Sequence, residues 1–167
     1  MNKPTAVFPG SFDPFTRAHL ELVRNAGKFF DITILICQNS SKAGGMFTPQ
    51  QRKEIIERCI YDDEKAHVKV EIHEGLVSDY CAANDIKYII RGIQYKNAAE
   101  EIDLAHIWYQ DENIKTVFFP TCITDYEHVS SSRVREYIKN GSTIWVNYVP
   151  EYCTTTILKY CAINKLI

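Results

Sequence analysis

Short apolar runs alternate with longer amphipathic stretches along this chain. Thr5–Phe8, Ile32–Cys37, Val68–Ile72, Tyr88–Ile90 and Thr116–Phe119 are short and rich in β-branched or aromatic residues. Such runs predict strands buried on both faces of a sheet. From about Ala18 to Phe30, the residues Leu22, Val23, Ala26, Phe29 and Phe30 recur at helical spacing and predict one apolar stripe. Thr48-Pro49-Gln50-Gln51 reads as a capping box with proline at the first helical position. Ile55, Ile56, Cys59 and Ile60 then form the buried face of that second helix. Further helices are predicted over Val77–Asn84, Ala98–Gln110 and Ser131–Lys139, the last stopped by Asn140-Gly141, and a final one after Pro150. Strand alternating with helix predicts one α/β domain over 1–167, with five parallel strands in an open, doubly wound sheet. Sheets of this kind bind ligands outside the carboxyl ends of their strands, so chemistry is expected in the loops that follow them.

Composition narrows the function classes. Hydrophobic residues make up 46% and charged residues 24% of the 167, ordinary values for a globular protein. A formal charge of −2 supplies no basic field to recruit nucleic acid or an anionic membrane. The apolar runs are far too short for a membrane span. The start MNKPTAVFPG lacks the apolar stretch of an export signal, so a cytoplasmic location is expected. Cys37, Cys59, Cys81, Cys122, Cys153 and Cys161 form no CxxC pair and mostly sit in apolar segments. They are expected to be buried, reduced thiols rather than disulfides or metal ligands.

Four loops carry chemistry. After the first strand comes Phe8-Pro9-Gly10-Ser11-Phe12-Asp13-Pro14-Phe15-Thr16-Arg17-Ala18-His19. Gly10 permits close backbone approach, and Ser11 offers a hydroxyl and an amide. Thr16 and His19, three apart at a helix start, can face one ligand where free N–H groups favour phosphate. After the second strand, Lys42 stands in the segment Ser40-Ser41-Lys42-Ala43-Gly44-Gly45-Met46-Phe47-Thr48. Arg91-Gly92-Ile93-Gln94 follows the fourth strand, where an arginine suits a phosphate. Val129-Ser130-Ser131-Ser132-Arg133 follows the fifth, and serines there are ordinary helix caps.

Taken together and in order, these segments resemble the nucleotidyltransferases that carry an HxGH-type motif. Within them they are most similar to the phosphopantetheine adenylyltransferase family, whose boxes read GTFDPxTxGH, SKK-PMFT, IRGxR and ISSSxVRE. The resemblance implies a Rossmann-like fold, a homohexamer, and transfer of the adenylyl group of ATP to 4′-phosphopantetheine with magnesium. It implies that His19, Lys42 and Ser11 are catalytic, and that Ser11, Lys42, Val77 and Arg91 bind the acceptor. Leu76 and Val77 would begin a helix lining the pantetheine pocket. The nucleotide site would comprise Ser11, Phe12, Thr16, His19, Gly92, Ile93, Gln94, Glu101, Tyr126, Glu127, His128, Val129, Ser130, Ser131 and Ser132. No protein metal ligand is implied. His67, His73 and His106 are expected to be solvated or structural. The chain departs from the pattern at Ala18 (family glycine), Gln94 (family arginine) and Trp108 (commonly asparagine). Those departures leave open another nucleotide, such as CMP, or another phosphate acceptor. Gln94 also leaves open a non-catalytic nucleotide binder, against which His19 and Lys42 stand.

Overall fold

The computed structural model describes residues 3–38, 45–60, 67–94, 97–120 and 129–166. Five strands form the sheet: β1 (Thr5–Gly10), β2 (Asp31–Gln38), β3 (Val68–Glu74), β4 (Tyr88–Ile93) and β5 (Lys115–Pro120). All pair in parallel, in the order β3-β2-β1-β4-β5. Helices join them: α1 (Arg17–Ala26), α2 (Pro49–Cys59), α3 (Val77–Ala83) and α4 (Ala98–Glu112). After β5 come α5 (Ser131–Lys139), two 3₁₀ turns (Thr143–Tyr148 and Glu151–Cys153) and α6 (Thr154–Ile163).

Alternation along each strand divides the core. Phe8 of β1, Ile34 and Ile36 of β2 and Ile90 of β4 pack with Ile55, Ile56, Val134, Ile138 and Ile157 from α2, α5 and α6. Val7, Leu35 and Ile89 point the other way, to Cys81, Ile86 and Ile114, with Trp108 beside them. Helices on both faces make the sheet doubly wound, as expected, with its switch point between β1 and β4.

Two expectations are corrected, and one element is added. The edge strands β3 and β5 are only partly buried, because each has a neighbour on one side alone. Phe29 leaves the apolar stripe and is 62% exposed, since α1 stops at Ala26 and caps on Gly27. The 3₁₀ turn at Thr143–Tyr148, which anchors buried Trp145, was not foreseen. The thiols of Cys59, Cys81, Cys153 and Cys161 are free and buried, and that of Cys37 is free and half-buried. Cys122 lies outside the described residues. No helix among the described residues is long and apolar enough to cross a membrane.

Candidate active site

The ends of β1 and β4 meet at the switch point, and the start of α1 faces them. Thr16 caps α1: its hydroxyl accepts from His19 N–H at 3.5 Å, and its own N–H donates to His19 Nδ1 at 3.1 Å. A ring nitrogen that accepts carries no proton, so the proton of neutral His19 sits on Nε2. Phe8, Phe12 and Phe15 surround the imidazole at centroid distances of 6.1, 5.1 and 5.3 Å. That burial, helped by the charge of Arg91, lowers the His19 pKa to about 4. At neutral pH His19 is therefore an uncharged N–H donor beside a helix N-terminus.

Close packing shapes the loop itself. Phe12 is buried with φ of 47°, and a Cβ on Gly10 would meet the Phe12 ring at 2.8 Å. Ser11, next to them, is exposed at the strand's carboxyl end. Asp13 is buried and accepts the Met46 and Phe47 amides at 2.8 and 2.9 Å. Arg52 of α2 is also buried, 3.3 Å from Asp13, and donates to the carbonyls of Phe47 and Ser11 at 2.7 and 3.2 Å. Arg135 of α5 donates to the Asp13 carbonyl at 2.6 Å and to Ser132 Oγ at 3.0 Å. Asp13 and Arg52 are thus central to the site's construction, yet neither was singled out from the sequence. The aspartate of the Phe-Asp-Pro triplet was the available signal, but its partner lies 39 positions away.

At the end of β4, Glu101 grips Arg91 with both oxygens, each at 2.7 Å, and Arg91 Nη1 donates to the Pro9 carbonyl at 3.1 Å. Arg91 therefore stands at the switch point as expected, with Glu101 as its partner. Gly92, Ile93 and Gln94 follow on the same rim, half-buried, and Gln94 N–H donates to Asn97 Oδ1 at 2.8 Å. Val129 and Ser130 lead into α5, where Ser130 Oγ accepts from Arg133 N–H at 3.2 Å. Ser131 Oγ donates to the Pro14 carbonyl at 2.8 Å, so the start of α5 is fastened to the loop between β1 and α1. The three serine hydroxyls thus contact protein groups.

Val77 opens α3 next to Leu76, which is 66% exposed, at the end of β3. Two strand spacings separate β3 from β1, about 10 Å. Lys42, Tyr126, Glu127 and His128 lie outside the described residues, as does Lys96. His67 pairs with Asp31 at 2.9 Å and His73 bonds the Leu76 carbonyl at 2.9 Å, both structural contacts.

Residues 7–137 match the cytidylyltransferase-like family model. A phosphopantetheine adenylyltransferase of Clostridium novyi is 36% identical over 141 residues, covering 83% of this chain and 86% of that protein. One from Leptospira biflexa is 31% identical over 161 residues, covering 94% and 97%. This chain belongs to the cytidylyltransferase-like family, with the phosphopantetheine adenylyltransferases. A nicotinic acid mononucleotide adenylyltransferase of Plasmodium falciparum, solved with NaAD, superposes with a TM-score of 0.70 over 99% of both chains. At 14% identity that likeness speaks for the fold alone. In this cytidylyltransferase-like protein, His19 and Arg91 lie at the carboxyl ends of the strands, where doubly wound sheets place ligands.

Proposed function

We propose that this chain transfers the adenylyl group of ATP to 4′-phosphopantetheine, giving dephospho-coenzyme A and pyrophosphate, a step of coenzyme A biosynthesis. The observation that carries the reading is neutral His19, with Nε2–H unengaged by its cap, set at a helix start beside Arg91. An oxygen of the acceptor phosphate attacks the α-phosphorus of ATP in line. The bond from that phosphorus to the bridging oxygen breaks, and pyrophosphate leaves with the electron pair. No covalent bond to the protein is needed, so alignment and charge stabilisation carry the catalysis. His19 Nε2–H donates to an α-phosphate oxygen, and the α1 dipole adds to it. Ser11 and Lys42 orient the acceptor phosphate, with Arg91 on the same side. Gly92, Ile93, Gln94 and the start of α5 border the nucleotide.

Magnesium is part of this reading as a companion of the triphosphate. Among the described residues no three carboxylate, histidine or cysteine side chains converge as a metal site. The site's carboxylates, Asp13 and Glu101, are engaged by arginines. No step above depends on the ion. A cytoplasmic homohexamer also belongs to the reading. Ile102, Ile107 and Tyr109 of α4 are more than half exposed and support an assembly surface.

The test is pyrophosphate release with ATP and 4′-phosphopantetheine in the presence of magnesium, with CTP as the parallel nucleotide. Release with ATP is expected. Release with CTP and another phosphate acceptor, and none with ATP, would assign a different transferase.

A further inference from the structure

Along Pro9–Pro14, four backbone carbonyls are held by side chains from other elements. Arg91 of β4 donates to Pro9, Arg52 of α2 to Ser11, Arg135 of α5 to Asp13, and Ser131 of α5 to Pro14. Of the three arginines, Arg52 is the most enclosed. It is buried, its Nε lies 3.3 Å from Asp13 Oδ1 and donates to the Phe47 carbonyl at 2.7 Å, and a Cβ on Gly45 would collide with its Nη2. Its Nη1 reaches the Ser11 carbonyl at 3.2 Å. The Ser11–Phe12 peptide is trans, and a trans peptide sets its C=O and N–H on opposite sides of one plane. With the Ser11 carbonyl drawn to Arg52, the Phe12 N–H points away from it. That N–H meets no acceptor among the described residues, although Phe12 is only 2% exposed. Buried N–H groups are nearly always paired, so this one is suited to an acceptor brought by a ligand. The Phe12 ring packs against His19, centroids 5.1 Å apart, so the amide belongs to the same corner of the site.

We propose that Arg52 is a positioning residue which, anchored by Asp13, turns the Ser11–Phe12 peptide so that the Phe12 N–H faces the α-phosphate. The inference rests on the function proposed above. Arginine suits the task because one planar fork serves the Asp13 carboxylate and two carbonyls together. A lysine ammonium keeps the charge but lacks the fork. Once released, the peptide is free to rotate and present its carbonyl to the phosphates, an acceptor in place of a donor. An N–H aimed where charge grows during transfer acts mainly on the transition state, so its loss is read in kcat rather than KM. Arg52 thereby affects the reaction without touching either substrate.

Two variants test this. Arg52→Lys is expected to lower kcat about ten-fold, the scale of one lost hydrogen bond, with KM for ATP and for 4′-phosphopantetheine within about two-fold of wild type. Asp13→Asn keeps the shape of the anchor without its charge and should lower kcat by a smaller factor. A lower urea midpoint with wild-type kcat in both variants would make Arg52 a structural ion-pair partner and overturn the proposal, as would a loss that appears in KM alone. Amide NMR with ATP or CTP, and no acceptor present, gives a second readout. The Phe12 N–H resonance should move downfield in wild type and far less in Arg52→Lys. Equal movement in the two proteins, or none in wild type at saturating nucleotide, would overturn the proposal too. A wild-type protein that releases no pyrophosphate with 4′-phosphopantetheine would count against the function instead, and the Phe12 resonance would then decide the role of Arg52.

Discussion

His19 shows how two small features set the state of one side chain. The Thr16 amide occupies Nδ1, and three phenylalanine rings pack around the imidazole. The side chain is thus a neutral donor, and in the proposed reaction its hydrogen bond would strengthen as charge builds on the α-phosphate. His19→Ala is expected to lower kcat by ~100–1000-fold, the usual cost of losing one such donor. The ATP dissociation constant should change much less. Rapid-quench turnover and calorimetry measure the two, and a rate within a few-fold of wild type would leave His19 a purely structural cap. Glu101 makes a separate case, because both of its oxygens hold Arg91. Glu101→Gln removes a negative charge from the site but loosens the guanidinium. Phosphate affinity should therefore not fall, while kcat drops about ten-fold through lost orientation. Weaker ATP binding at unchanged kcat would instead make Glu101 a direct nucleotide contact.

Among the elements, the turn before α2 is the most constrained. Gly45 leaves no room for a methyl group between Asp13 and Arg52. Gly45→Ala should destabilise the fold by about 1–3 kcal/mol through overpacking, read as a lower urea midpoint at unchanged slope. The same turn shows what the sequence could and could not reveal. The α2 capping box was legible because Thr48 and Gln51 are local partners, and both halves of it form. The strands were legible because β-branched runs have few other uses in a doubly wound sheet. All five extend past the expected ends, since polar or glycine residues such as Gly10 and Gln38 still pair at the rim. Asp13 with Arg52 was hidden because polar partners distant in sequence leave no periodic trace. The cap that joins Thr16 to His19 was legible as a local spacing of three, while the grip of Glu101 on Arg91 required coordinates.

For the whole molecule, the displaced pKa of His19 becomes a pH dependence of stability. The unfolded chain takes up a proton near 6.5, and the folded chain resists it until about 4. Between those values the unfolded state binds more protons, so stability falls as pH falls through the window and is fully present above 6.5. Glu54, whose pKa is lowered by its hydrogen bond from Tyr160, adds a further loss below 4.5. Urea midpoints measured across pH should show the upper step in wild type and not in His19→Gln. The free cysteines give the fold one more property, as a built-in clock for its own opening. Burial raises the pKa of Cys59, Cys81 and Cys161, so little thiolate exists there to meet an alkylating reagent at neutral pH. Burial raises the pKa of Cys37 as well, but its side chain is only half-buried, next to Gly10 at the carboxyl end of the strands, so exposure sets it apart. Among these four, a brief pulse of iodoacetamide should mark Cys37 first, and bound nucleotide should slow that mark. The other three should be modified only as fast as the sheet and its helices part, so counting labels over time measures the rate of unfolding without any denaturant.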